Sequence, residues 1–516
     1  MNTAEKFPTF SRIGRFVRRV TWAITSPIGR FMRRWFKPFI FTSVSAVTVI
    51  ALFIAVENYR TGKTWEKYQE DARARGEKLT LVELAPPPAP DDQNFAMTPL
   101  MKSTFLKSND VDPGVRPPSL GDLKNNEESA QDDGAWPIGK KTDLTSWKAY
   151  LLPTDLLTAF KKLEPKMTEI SAAVRLPYSR FPVEYAKEPP ILVMLPQLSA
   201  MISLSKLYKL RALAELDAGQ GDRALDDAIT GFRLARAMDE LALISALTEQ
   251  AQLGISMQVV WEGLADNRWS DSQIAALQKE MQTMDLFPGF VRSLQGERAF
   301  FNGSLNWMKS QSSFERWKLY KNVMGSGDHL SMAVGLAVLP TFAINRGQIE
   351  MMDFYNQYIF GAINIAQRQI DPKTLKAGDE FFDREIKNRS AWLHPQVIFE
   401  RALIPTIASV LRTYAKGETS LDEAIVACAL ERFKLAHGDY PTKLDELVPQ
   451  FIEKLPHDVV NGEPLHYQRT PDGRFMLYSV GWDEKDDHGV SVDYNTSNWQ
   501  GDWVWQYSPA KIWGRN

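Results

Sequence analysis

With 516 residues, 44% hydrophobic and 24% charged, the chain has enough apolar content to bury the cores of roughly two to four domains. Its net charge of −2 is unevenly spread: residues 1–38 carry +8 and the remainder −10, which argues against nucleic acid as a partner of the main part of the chain. A single cysteine, Cys428, excludes an intramolecular disulfide and a thiolate metal cluster.

Residues 1–38 form a basic cytoplasmic segment. Phe10, Ile13, Val17 and Val20 recur at helical spacing, with Arg12, Arg15, Arg18 and Arg19 on the other faces. That pattern suits a helix lying on an anionic inner-leaflet surface, and equally a basic tail that only fixes topology. Residues 39–56 (FIFTSVSAVTVIALFIAV) then run for 18 positions without a charge, about 27 Å of helix and enough to cross a bilayer. The basic flank places the amino terminus in the cytoplasm and the bulk of the chain outside. The expected location is therefore the bacterial inner membrane, single-pass, with a periplasmic body. A retained anchor is expected over a cleaved signal, because the leader is long for such a signal and no small-x-small site lies near Glu57. Arg33-Arg34-Trp35-Phe36-Lys37 looks like a twin-arginine export motif, but as a basic flank it needs no export role.

Residues 57–142 are expected to form a stalk and linker. Positions 59–78 are polar and helix-compatible, 85–90 (APPPAP) are stiff and extended, and 91–142 are a polar connector. Residues 143–417 follow as an all-helical domain, a bundle or short solenoid. Its clearest pair is 197–218 and 222–240, joined by Gly219-Gln220-Gly221, with Leu207, Leu210, Ala214 and Leu216 facing Leu225, Ile229, Phe232 and Ala235. The stretch 207–235 resembles a tetratricopeptide-type hairpin in the spacing of Ala212, Gly219 and Ala224, while Gly231 stands where that family prefers alanine. A generic helical hairpin accounts for the same residues. Ser270 heads a capping box, further helices are expected at 290–308 and 348–369, and Gly325-Ser326-Gly327-Asp328 is a loop without the lysine of a phosphate cradle.

Residues 418–490 are expected to be a small α+β module, entered by a long helix over 398–437 that loosens at Pro405 and at Gly417-Glu418-Thr419-Ser420. Gly438 stops the helix and Tyr440-Pro441 turns the chain; Thr442 caps a short helix with Asp445 at the reciprocal position. Strands at 465–469 and 475–480 flank Pro471-Asp472-Gly473. Over 421–489 the set Leu430, Glu431, Phe433, His437, Gly438, Tyr440-Pro441, Leu444, Leu447, Leu455-Pro456, Asp458, Gly462, Tyr467 and Tyr478-Ser479-x-Gly481-x-Asp483 resembles the globular module of the major pseudopilin of type II secretion, the G-type pilin family. Unlike that family, this chain has its anchor some 350 residues upstream, and residues 39–56 contain no glutamate. The resemblance implies a recognition or structural role beside secretion or pilus-like machinery rather than assembly into a filament. It also implies a calcium site after the last hairpin strand, with Asp483, Asp486, Asp487 and Asp493 as oxygen donors; a solvated acidic turn is the alternative. His437, His457, His466 and His488 fall in the module without metal-ligand spacing. The 491–516 tail holds Trp499, Trp503, Trp505 and Trp513, and 502–507 alternate like an edge strand that covers the hairpin or the helices, or binds a partner.

The sequence carries none of the common hydrolase, nucleotide-binding or kinase motifs. The expected role is therefore structural or protein-interacting rather than enzymatic. The alternatives are an accessory of a secretion or pilus-like system, and an unrecognised extracytoplasmic hydrolase built on dispersed carboxylates.

Overall fold

A computed structural model describes residues 27–106, 115–123, 141–142, 153–238, 240–324, 330–391, 393–491 and 499–507. Most of the described chain is helical, with one helix long and apolar enough to span a membrane. In order, the helices are α1 (Pro27–Ala74), α2 (Leu81–Leu84), α3 (Pro99–Lys102), α4 (Pro153–Phe160), α5 (Glu164–Ala173), α6 (Gln197–Asp217), α7 (Gly221–Arg236) and α8 (Leu243–Ala265). They continue as α9 (Asp271–Gln282), α10 (Phe287–Ser310), α11 (Ser313–Met324), α12 (Leu330–Ala337), α13 (Thr341–Phe354), α14 (Pro372–Phe381) and α15 (Val397–His437). A short antiparallel pair, β1 (Ile363–Asn364) and β2 (Gln369–Ile370), precedes α14. The main sheet is β3 (His466–Arg469), β4 (Phe475–Ser479) and β5 (Trp503–Gln506), antiparallel in that order.

The apolar run lies on the outside of the molecule within the 48-residue α1. At Glu57 the same helix turns into a wall of the body. Arg346 pairs with Glu57 at 3.0 Å, Asn58 Oδ1 accepts the Phe342 N–H at 2.7 Å, and the Asn345 amide donates to buried Thr61 at 3.3 Å. Trp65 is buried against Tyr68, with the Lys309 ammonium over its ring. The expected stalk is thus docked along α13 by one face of α1. The expected linker is folded as far as Leu106. Asn94 bridges the backbone of Arg180 through both amide atoms, at 2.8 and 2.9 Å, and Phe95, Leu100 and Met101 are buried with α4, α5 and α6. Residues 1–26 and most of 107–152 lie outside the described residues.

Helices α6 and α7 form the expected hairpin, with Ala212 and Ala224 buried where they meet. A Cβ at Gly231 would stand 2.6 Å from Ser256 Oγ, so the close approach of α8 explains a glycine there. Arg211, buried at this junction, holds Asp227 through two bonds of 2.6 Å and Glu164 at 2.9 Å. The capping box at Ser270 is present. The helix expected over 290–308 runs from Phe287 to Ser310. The one expected over 348–369 stops early. It passes through a π turn at Tyr355–Ile359 and gives way to β1, where Asn364 Oδ1 takes the Gln367 N–H at 3.1 Å and offers the backbone an alternative to the helix. The 325–328 loop lies outside the described residues.

The 41-residue α15 runs unbroken through the centre of the body, and the expected loosening at Gly417–Ser420 does not occur. A Cβ at Gly417 would fall 1.6 Å from Gln250 Oε1, so that glycine admits α8 rather than bending the helix. Gly438 ends α15 at φ +87°, as expected. The reciprocal cap of the short turn that follows is Glu446, not Asp445: its carboxylate accepts the Thr442 and Lys443 N–H groups, each at 2.9 Å. Beneath α15, β4 is buried along its length between β3 and β5, with Leu477 opposite Trp505 and Ser479 opposite Trp503. The tail therefore supplies the third strand, and the Trp261 indole N–H of α8 donates to Gln506 O at 3.0 Å. One continuous core extends from Trp65 to Trp505. Neither 417/418 nor 490/491 coincides with a break in packing, since α15 crosses the first and the sheet joins both sides of the second.

Candidate functional site

The middle of α15 carries Glu418, Asp422 and Glu423, all buried, and Asp458 is buried opposite them after the Leu455-Pro456 turn. Helical spacing places Glu418 and Asp422 one above the other on a face toward the β1–β2 turn. That turn presents Arg368, held at φ +48°. Arg368 Nη2 reaches Glu418 Oε2 at 2.8 Å, and the Tyr414 hydroxyl donates to Glu418 Oε1 at 2.7 Å. Asp422 has no hydrogen-bond donor among the described residues, and its nearest cation is Arg368 Nη1 at 4.0 Å. Asp458 is a turn organiser instead. It accepts the Val460 N–H at 2.9 Å and the Val480 N–H at 3.3 Å, tying the turn to the end of β4.

Burial dominates the electrostatics. Desolvation, reinforced by Glu418 and Asp458 and opposed by Arg368, pushes the Asp422 carboxyl up to about 8. Desolvation likewise raises Glu418, Glu423 and Asp458, and it lowers the Lys416 ammonium on the same helix to about 7. A protonated carboxyl and a readily neutralised amine are the physical answer to too many charges in a dry interior.

A cleft of about 520 Å³ opens onto this stripe. Met281, Leu421, Ile425 and Ile452 give it an apolar floor; Asp422, Arg368, Lys454 and His457 supply its polar groups. The His457 Nε2 lies 2.6 Å from Gln367 O, which ties the two sides of the mouth together. An apolar floor with a few convergent polar groups is the usual form of a small-ligand site. Asp422, 4% exposed and without a donor among the described residues, is the group here that can still exchange its proton with a ligand. Sequence reasoning missed it because an acid one turn from another acid on an apolar helix carries no motif.

Of the residues expected to hold calcium, Asp483, Asp486 and Asp487 are described. Asp483 Oδ1 accepts the Lys485 N–H at 3.4 Å, and Asp486 Oδ1 accepts the His488 N–H at 2.8 Å and the Tyr478 hydroxyl at 3.1 Å. His466 and His488 stand 3.6 and 3.4 Å from Asp486. Asp487 gives its N–H to Asp502, and Asp493 lies outside the described residues. Among the described residues no three histidine, cysteine or acidic side chains gather as a metal-ligand set. The organiser of this loop is Asp502, at the head of β5. Fully buried, it accepts the Gly489 N–H at 2.6 Å and the Asp487 N–H at 3.3 Å, and burial lifts its carboxyl to about 6. Cys428 is buried in α15 with its thiol pushed upward by desolvation, a packing residue without nucleophilic character. No family model, curated protein or solved structure matches this chain.

Proposed function

We propose that the chain is a single-pass protein of the bacterial cell envelope, held in the inner membrane by residues 39–56 with its basic leader in the cytoplasm. Its body then works by binding in the extracytoplasmic space. The observation that carries this reading is the continuity of α1, which leaves its apolar run and enters the core at Thr61 and Trp65 without a break. A body fixed in this way is a membrane-bound platform, and the cleft beside Asp422 is its binding site. Membrane fractions washed with alkaline carbonate should retain the protein, and protease should digest the body in spheroplasts but not in intact cells. Release by carbonate, or protection of the body in spheroplasts, overturns the reading.

The order of α15, the Tyr440-Pro441 turn and the β3–β4 hairpin supports a pseudopilin-like carboxy-terminal part. That part suits docking to secretion or pilus-like machinery. Co-purification with a major pseudopilin, abolished by charge reversal on the exposed face of 439–446, tests this form of the proposal. A hydrolase is the second reading, favoured by the protonated Asp422 beside Arg368 in a cleft, where the carboxyl can act as a general acid toward a leaving group. Any hydrolytic activity should then disappear in Asp422→Asn with the fold retained.

A further inference from the structure

The body meets the apolar run of α1 near the carboxy-terminal end of that run. Phe53, within that run, packs edge-on against Phe342 at the start of α13, with ring centroids 6.2 Å apart. The Asn58 side chain fixes the Phe342 N–H one turn further along α1. Phe53 lies three residues before the end of the run, about 4.5 Å along the axis. The start of α13 is therefore held at the depth of the outer hydrocarbon boundary if residues 39–56 span the membrane.

The chain just before that point has the composition for such a depth. No charged residue occurs between Asp328 and Arg346, a stretch that includes all of α12. Val334 and Val338 expose 46% and 66% of their surface. Helix α11 packs along α12, and Arg316 Nη1 donates to Leu339 O at 2.8 Å, which sets the start of α11 beside the end of α12. Phe314 at that start is 65% exposed, in ring contact with Trp317, whose face carries the Lys321 ammonium at 5.0 Å. Exposed aliphatics beside an aromatic and a lysine are the residues that settle where hydrocarbon meets headgroups. Lysine can reach up to phosphate while its stem stays in apolar surroundings.

We infer that the α11–α12 pair is a second membrane contact, an interfacial foot that lays Phe314, Val334 and Val338 into the outer leaflet beside the anchor. The inference rests on the anchor reading of residues 39–56. The foot holds the body at a fixed tilt, because the anchor and the foot together define a plane where a lone helix defines only an axis.

The test uses the full chain with Cys428→Ala, reconstituted in vesicles of phosphatidylcholine and phosphatidylglycerol containing a lipid spin-labelled near the top of its acyl chain. Single cysteines replace Val338, Leu52 in the anchor, or exposed Glu453 on the body, and each carries a small environment-sensitive fluorophore. The expected result is a loss of fluorescence at 338 comparable to that at 52, with none at 453. Quenching at 52 without quenching at 338 overturns the foot and leaves the anchor standing; that outcome also covers a second copy or another protein seated on the patch. Absence of quenching at 52 overturns the anchor reading, and the foot with it.

Discussion

Two sets of carboxylates in the last hundred residues behave in opposite ways. Those of 483–487 sit in a polar turn, where Asp483 and Asp486 accept their own loop's N–H groups and both are partly open to water. Those of α15 lie on a buried helix with Arg368, Lys416, Tyr414 and a cleft for company. An acidic run that is plain in the sequence can satisfy much of its hydrogen bonding locally. Acids dispersed along a buried helix must share cations or keep their protons, and that makes them responsive to pH and to ligands.

Removing Arg368 should separate the two sets most sharply. Arg368→Ala leaves Glu418 buried with only Tyr414 and should cost about 3–5 kcal/mol in urea unfolding, the usual range for orphaning a buried charge. A cost under about 1 kcal/mol would mean that the stripe is solvated and no different from the loop.

The next effect is on pH dependence. The Asp422 carboxyl stands near 8 in the folded protein, above its ordinary 3.8. Its contribution is fully present below that ordinary value and is lost as pH rises through about 8, where the buried group must ionise in place. Asp422→Asn should therefore flatten the fall in stability across this window and exceed the parent by about 1–3 kcal/mol at pH 9. Parallel pH–stability curves for the two proteins would remove Asp422 from the comparison.

Smaller again, Asp483→Asn should change stability by no more than about 0.5 kcal/mol, as for most exposed polar substitutions. A calcium titration completes the series. Millimolar calcium should move Tm by less than about 1 °C, since a site occupied far above its Kd would add a clear increment. A rise of several degrees reversed by EDTA would instead bring the loop and Asp493 together as a site.

Much of the architecture was legible in the sequence because it depends on local pattern. The long apolar helix, the α6–α7 hairpin, the Ser270 cap, the stop at Gly438 and the β3–β4 hairpin all follow from spacing and turn chemistry over short stretches of chain. What was not legible depends on partners far along the chain. Gly417 looks like a loosening of its helix, and Gly231 like a departure from alanine, until Gln250 and Ser256 are seen occupying the space a side chain would need. Thr61 and Trp65 read as stalk until α13 covers them. Asp422 has no local signal at all, and becomes distinct only where the β1–β2 turn and the 452–462 turn close around it. The 348–369 segment kept a helical pattern past Phe354, yet Asn364 and Arg368 divert it into the turn that shapes the cleft.

The position of β5 in the chain bears on how the protein is made. It is the last described element, yet it caps the sheet edge under α15 and takes the Trp261 indole proton from α8, some 245 residues earlier. During synthesis the apolar run of α1 and the other described helices emerge first, with Leu477 and Tyr478 still facing an open edge. Completion of the interior waits on a strand only four residues long, so a nascent chain arrested before Trp503 holds an unfinished sheet. Quality control has a simple feature to recognise in that species: the unpaired edge of β4.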